Sequence, residues 1–496
     1  MTGTTKNAFQ TERVEREDLV MFINACFACT GQAEFYGPAG GQEVAIEFLH
    51  EYILVNYRKL YARTLAAGIN HFNQRLIIVN LLRTGKDVPA ADRAEEGALI
   101  GAALRSLPTQ RAFKALCVLR EERINNRRAR AVIRDYLASR SDPVFDAVKY
   151  RLHVRSLATH AHLSLPGEMG SFLFQRRRRE AFVTPLFETV RQARHSKRAI
   201  FDLPMTVAAG YAAKKGISQA EFLERIAPRM TQGEKLRFQQ AAEKHDDVDL
   251  TIDLGRAPLT RLALYILSLS DEERTARRDE LHAVLERSAL RALQKTPMKL
   301  GRVAAVLDRS FSASGSGEKR RRPLAVALGA SYLLRAAARE YHGFWTQPSE
   351  DEIMVMPKGQ TNLAMPLVDA LAWSPDVVVI ISDGYENDPT GAASEVARCY
   401  RHAFDREKKV SIVHLNPVFD SERFAPRGLG PAIATVGLRD AEDLLTMLGF
   451  ARFAEGSAAL AELEKYLATR VSQLLGRDAR RRNQRLVRPN ESDEEP

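Results

Sequence analysis

Residues 302–312 read RVAAVLDRSFS and residues 376–384 read DVVVIISDG. Each is a short apolar run ending on a carboxylate, Asp308 in the first and Asp383 in the second. Residues 409–415 (KVSIVHL) and 432–436 (AIATV) are further short runs rich in β-branched residues. Helix-like stretches lie between and after them at 323–340, 363–373, 395–406 and 440–448, with a closing helix at 458–475. Buried strands alternating with helices predict a doubly wound parallel sheet covered on both faces. An Arg-rich tail from Arg477, ending in Pro and Glu, is expected to be mobile.

The strand ends carry the chemistry. Asp308-Arg309-Ser310-Phe311-Ser312 is a D-x-S-x-S, followed in order by Gly359-Gln360-Thr361-Asn362-Leu363 and Ser382-Asp383-Gly384. Loops at the carboxyl ends of neighbouring strands converge on one crevice in such a sheet. Three hydroxyls and two carboxylates meeting there make an oxygen-only donor set, suited to a hard divalent ion. D-x-S-x-S alone arises often by chance; its place at a strand end, with the other two motifs in order, is what gives it weight.

Residues 300–475 resemble a von Willebrand factor A (vWA) domain with its metal-ion-dependent adhesion site (MIDAS). The resemblance implies that Ser310, Ser312 and Thr361 offer hydroxyl oxygens to the metal. It also implies that Asp308 and Asp383 supply negative charge, that the ion is Mg²⁺ with Mn²⁺ as an alternative, and that a partner's acidic side chain completes the coordination. Phe311 departs from the pattern, because many family members have Gly there.

The region before residue 300 reads differently. Apolar residues recur at three and four, as in Val44, Phe48, Tyr52 and Val55, and Gly or Pro breakers punctuate the series from Gly37-Pro38 to Gly233. Stacked helix pairs of HEAT or armadillo character fit this pattern, without a strict repeat. The whole is thus an all-helical array over 1–300, which could close into a ring, an α/β vWA domain over 301–476, and a tail over 477–496. That order resembles the TROVE family, the Ro ribonucleoprotein autoantigens and their bacterial relatives. The resemblance implies binding of small structured Y-like RNAs and of misfolded RNAs with a single-stranded end.

Charge sharpens the expectation. The 496 residues carry a net +11, but residues 101–200 hold 21 Lys+Arg against 8 Asp+Glu, while 301–496 hold 26 against 27. A regional surplus of this kind suggests a polyanionic partner. Arg120, Arg123, Arg127, Arg130 and Arg134 recur at three and four, which predicts one basic helix face. Arg176, Arg177, Arg178 and Arg179, with Arg191, Arg194, Lys197 and Arg198, extend the same charge. Arginine forks match phosphate oxygens geometrically. An acidic protein partner or a plain solvated face remain the alternatives.

Other signals are weaker. Cys26 and Cys29 have redox spacing within an apolar stretch and read as buried free thiols, and four cysteines are too few for a disulfide framework. His160 and His162 would point to different sides of a helix, and Thr84-Gly85-Lys86 lacks a P-loop's first glycine. Residues 319–322 (KRRR) could bring cations to the metal crevice or only keep a loop soluble. No long apolar run and no apolar leader core appear, so a cytoplasmic monomer with no membrane contact is expected. No nucleophile with a base is legible, so the expected class is a non-catalytic RNA scaffold or chaperone. A vWA adaptor gripping proteins, such as clients of an AAA+ ATPase, is the alternative.

Overall fold

The computed structural model describes residues 3–175, 180–231, 234–235, 254–455 and 459–487. Before residue 300 the regular structure described is helical, and it includes α1 (Gly3–Ala28), α2 (Ala39–Asn56), α3 (Arg93–Ser106), α4 (Thr109–Glu121), α5 (Arg127–Ala138) and α6 (Arg151–His160). The sheet then begins: β1 (Leu300–Leu307), α7 (Arg322–Ala337), β2 (Ala338–Trp345), α8 (Ala364–Ala372), β3 (Val377–Ile381), α9 (Ala392–Ala403), β4 (Ser411–Asn416), β5 (Ala434–Gly437), α10 (Leu444–Ala454) and α11 (Leu460–Val487).

All five strands are parallel in the order β2-β1-β3-β4-β5. Val303 of β1 sits beside Val377 of β3, which sits beside Ser411 of β4. Ala304, Val306, Val378, Ile380 and Ile412 bury one face against Leu367 and Ala370 of α8 and Ala393 and Ala397 of α9. On the opposite side α7 packs on β1 and β2, and α10 packs on β5. Coverage on both faces explains why β3 can be the unbroken run VVVII. The mostly helical chain with a vWA-like parallel sheet is the architecture expected from sequence.

One strand is missing from the sequence reading. The helix expected over 323–340 stops at Ala337, and Ala338–Trp345 (AREYHGFW) turns directly into β2 at the sheet edge. Its first residues continue a helical pattern, and an edge strand facing solvent can carry charges that hide its apolar content. Pairing with β1 along its whole length, which no local window contains, decides the matter.

The apolar stripe Val44, Phe48, Tyr52, Val55 also turns the other way. Val44, Phe48 and Val55 are exposed, while Ala45, Ile46, Leu49 and Ile53 are buried. Residues of α2 are apolar on both sides, so periodicity alone cannot choose the inner face.

Compactness does not follow the change of pattern at residue 300. Residues 1–73 join 254–469 in one unit, and 74–253 join 470–496 in another. In the first, α1 docks on β5: Asn24 Nδ2 donates to the Thr435 carbonyl at 3.3 Å, and Gly437 N–H donates back to Asn24 Oδ1 at 3.4 Å. A Cβ on Gly437 would stand 2.5 Å from the Asn24 carbonyl oxygen, so only glycine allows this approach. In the second, the tail expected to be mobile from Arg477 is helical to Val487. Arg105 of α3 grips Asp478 with two hydrogen bonds of 2.7 Å, and Ala, Arg and Gln favour helix. Residues 488–496 lie outside the described residues. No helix among the described residues is long and apolar enough to cross a membrane.

Candidate functional site

The crevice forms where β1 and β3 end. Asp308 N–H donates to the Ile381 carbonyl at 3.0 Å, continuing the ladder one residue beyond the strand. The chain then turns, and Ser310 N–H donates to Asp308 Oδ1 at 2.8 Å, the local bond that Asp readily makes two residues ahead. Ser310 Oγ and Ser312 Oγ are 3.2 Å apart. On β3's side Tyr385 N–H donates to Asp383 Oδ1 at 3.0 Å. Thr361 comes in on a loop held from two sides: its N–H donates to Asn387 Oδ1 at 2.8 Å, and Gly359 O accepts Phe311 N–H at 2.9 Å. Asp308, Ser310, Ser312, Thr361 and Asp383 are all buried.

These groups address one another. The Ser310 hydroxyl favours the ionised form of Asp308, and the Ser312 hydroxyl that of Asp383. Both carboxyls are pushed above the usual range, first by burial, and for Asp308 next by the charge of Asp383. Two buried carboxylates side by side strongly disfavour joint ionisation without a compensating cation. Among the described residues no cluster of three or more His, Cys, Asp and Glu side chains is placed to hold a metal. The donor set is therefore hydroxyls plus a carboxyl pair, and it suits a hard divalent ion, not a soft one.

A rim that sequence reading missed surrounds it. Tyr36, from the loop between α1 and α2, lies against Tyr385 with ring centroids 4.3 Å apart, beside Ser312. Phe311 is 64% exposed and meets Phe35 edge-on at 5.9 Å. Arg427 caps Tyr385 at 4.0 Å. The loop is clamped to the segment after the D-x-S-x-S: Ala33 N–H donates to Glu318 at 3.0 Å, Ser316 Oγ donates to the Ala33 carbonyl at 2.7 Å, and Lys319 forms a buried ion pair with Glu34. The KRRR run thus has a structural use: Lys319 holds Glu34, Arg321 holds the Leu267 carbonyl, and Arg322 meets Asp440 at 2.7 Å. Glu34 lies 285 positions from Lys319, and no local signal links the two.

The arginine stripe does not lie on one helix. α4 ends at Glu121, Arg123 adopts a left-handed φ of 57°, and α5 starts at Arg127 under an Asn126 cap whose side chain accepts Ala129 N–H. Asn126 is a strong start signal, and it splits a periodicity that the arginines alone would have continued. His160 Nε2 bonds the Ile124 carbonyl at 2.9 Å and so holds the turn between the helices. Arg120, Arg123, Arg127, Arg130 and Arg134 are all exposed nonetheless. Arg120 bonds Ser156 and Arg134 pairs with Asp135, whereas Arg123, Arg127 and Arg130 have no ion-pair partner among the described residues. Arg128 points inward to buried Glu96. Arg191 is neutralised by Glu188 through bonds of 2.7 and 2.5 Å, Arg194 is half-buried, and Lys197 and Arg198 are exposed. Arg176, Arg177, Arg178 and Arg179 lie outside the described residues.

The fold is similar to that of a Ro protein. The crystal structure of the RO (RSR) protein of Deinococcus radiodurans matches with a TM-score of 0.52 and 13% identity, over 83% of this chain and 94% of that one. No protein-family model and no curated protein sequence matches this chain. At 13% identity the likeness carries the fold.

Within this Ro-like fold the remaining signals resolve into structure. Cys26 and Cys29 are free and buried, and burial pushes the Cys29 thiol up to about 12, far from a reactive thiolate. His162 sits in a turn with φ 54°, away from any paired ligand geometry with His160. Ser382 Oγ is 3.0 Å from His414 Nε2, but the other ring nitrogen meets the Thr435 hydroxyl, and no carboxylate among the described residues orients it.

Proposed function

We propose that this chain is a non-catalytic RNA-binding protein, a scaffold or chaperone for small structured or misfolded RNA, with a divalent-metal-dependent docking site in the crevice of its sheet. The observation that carries the reading is the coincidence of a Ro-like fold with exposed Arg123, Arg127 and Arg130 in its helical unit, which have no ion-pair partner among the described residues. Guanidinium groups that no carboxylate neutralises are free to contact phosphates, and such contacts bind with little regard to base sequence.

The test is fluorescence anisotropy on the full chain with two RNAs, a hairpin bearing a single-stranded end and a blunt duplex. The reading expects the tailed hairpin to bind more tightly and both affinities to fall steeply with salt. Absence of binding at low salt would overturn it.

In the crevice, Ser310, Ser312 and Thr361 would hold Mg²⁺ or Mn²⁺ through hydroxyl oxygens, with Asp308 and Asp383 as the balancing charge. When bound, the ion supplies positive charge and an open position for a partner's carboxylate. Asn387 orients Thr361, and the Ser310 and Tyr385 amides orient the two carboxyls.

A protein-adaptor role is favoured by one observation, the exposed aromatic rim of Tyr36 and Phe311 beside the carboxyl pair. Aromatic groups around a polar centre suit a protein docking surface. The two readings part on nucleic acid: an adaptor without RNA purifies with no absorbance excess at 260 nm.

A further inference from the structure

Residues 471–487 hold a single acid, Asp478, among arginines at 477, 480, 481, 482 and 485. That acid is already committed, since both of its oxygens accept from Arg105 of α3 at 2.7 Å. Arg477, Arg480, Arg481 and Arg482 are exposed and have no carboxylate partner among the described residues. Three of them, at positions i, i+3 and i+4, share one side of α11. Though Arg477 is exposed overall, its guanidinium is held below its usual range, first by the partial burial it keeps and then by the charges of Arg470, Arg481 and Arg480. A cluster of like charges is a standing electrostatic cost that a polyanion removes.

The position of the helix points to which polyanion. α3 holds α11 through Arg105 in its last turn, and it holds α5 through Glu96 in its first, where Arg128 is gripped. The two anchor points are nine positions apart, about 14 Å along the helix. At about 3.4 Å per nucleotide step of a duplex strand, a stem of a few base pairs is long enough to reach both. An anionic membrane is a poorer fit, because surface-binding helices insert large apolar side chains and here Val471 and Leu474 are buried.

We infer that the C-terminal helix α11 is a second phosphate-contacting element for RNA, fastened to the same α3 that carries the basic helix α5. This rests on the RNA reading above. It gives the helix an interface role in place of a free tail, with Asp478 as its anchor. Arginine, not lysine, at all these positions fits bidentate contact to phosphate.

The test compares the full chain with Arg477→Gln/Arg480→Gln/Arg481→Gln and with the same three positions changed to Lys, using the tailed hairpin at several salt concentrations. Three lost contacts to the duplex stem should flatten the slope of log K against log salt by about 2.7, at about 0.9 per contact. Between 50 and 200 mM salt the wild type should then lose more than about tenfold more affinity than the Gln variant. The Lys variant should keep most of the slope, which separates charge from helix disruption, and circular dichroism should be alike in all three. An unchanged slope in a Gln variant that folds, with wild type binding RNA, would overturn the role of α11 and leave the RNA reading standing. A wild type that binds no RNA overturns both, as would binding to phosphatidylserine vesicles in its place.

Discussion

The two candidate sites are built on opposite plans. The crevice gathers Asp308, Ser310, Ser312, Thr361 and Asp383 from three separate loops and buries all of them. The basic surface takes Arg123, Arg127 and Arg130 from one short stretch and leaves them in solvent. Low dielectric makes each charge in the crevice count heavily, for good when paired and for ill when not. Water and salt dilute each arginine to a small increment, so only the sum matters. Perturbations should therefore be large and abrupt in the first unit and small and additive in the second.

The largest effect is expected at the clamp beside the crevice. Lys319→Ala leaves Glu34 buried without its partner and should cost about 3 to 5 kcal/mol in urea unfolding. Replacing both partners, as Glu34→Gln with Lys319→Met, should recover most of that. An unaltered unfolding midpoint in Lys319→Ala would show that this region relaxes like a surface and would break the contrast.

Acid should find the same weakness. His50 receives the Tyr61 hydroxyl on Nδ1 and donates from Nε2 to Asn73 Oδ1, each at 2.9 Å, and burial pushes its pKa down to about 4. The unfolded chain protonates near 6.5 while the folded one resists. Stability from His50 is thus complete above pH 6.5 and is lost as pH falls towards 4, on the order of 3 kcal/mol in all. Thermal melts from pH 7.5 to 4.5 should show a shallower loss in His50→Gln than in wild type, and equal slopes would remove this group from the account.

Asp308→Ala should weaken Mg²⁺ and Mn²⁺ binding by about 100-fold or more, near 2.7 kcal/mol, in isothermal titration. Its melting temperature without metal should hold or rise, because one of two repelling buried carboxyls is gone. Equal binding by both proteins would sink the metal assignment. The smallest effect belongs to the surface: Arg127→Gln with Arg130→Gln should flatten the salt slope by about 1.4, with no change in the unfolding midpoint. An unchanged slope would place RNA elsewhere.

Much of the crevice was legible because its parts are local patterns. A strand end followed by D-x-S-x-S is contained in eleven residues, and the order of the three loops follows from the alternation of strand and helix. The rim was not legible, since Tyr36 and Phe35 reach Tyr385 and Phe311 only after α1 has docked on β5. Nor was the break at 122–126, where the Asn126 cap outweighed an arginine periodicity that ran across it.

The sequence by itself determined the class of each region: apolar strands ending on carboxylates, helices before them, and a cationic surplus largest over residues 101–200. These follow from hydrophobic period and charge, which act over a few residues. Only the tertiary structure decided that residues 1–73 belong with the sheet, that Ala338–Trp345 is its edge strand, that Lys319 answers Glu34, and that Arg477, Arg480, Arg481 and Arg482 stand on a helix fastened to α3 through Asp478. Each of those depends on partners tens to hundreds of residues away, whose burial together outweighs the local preference of either segment alone.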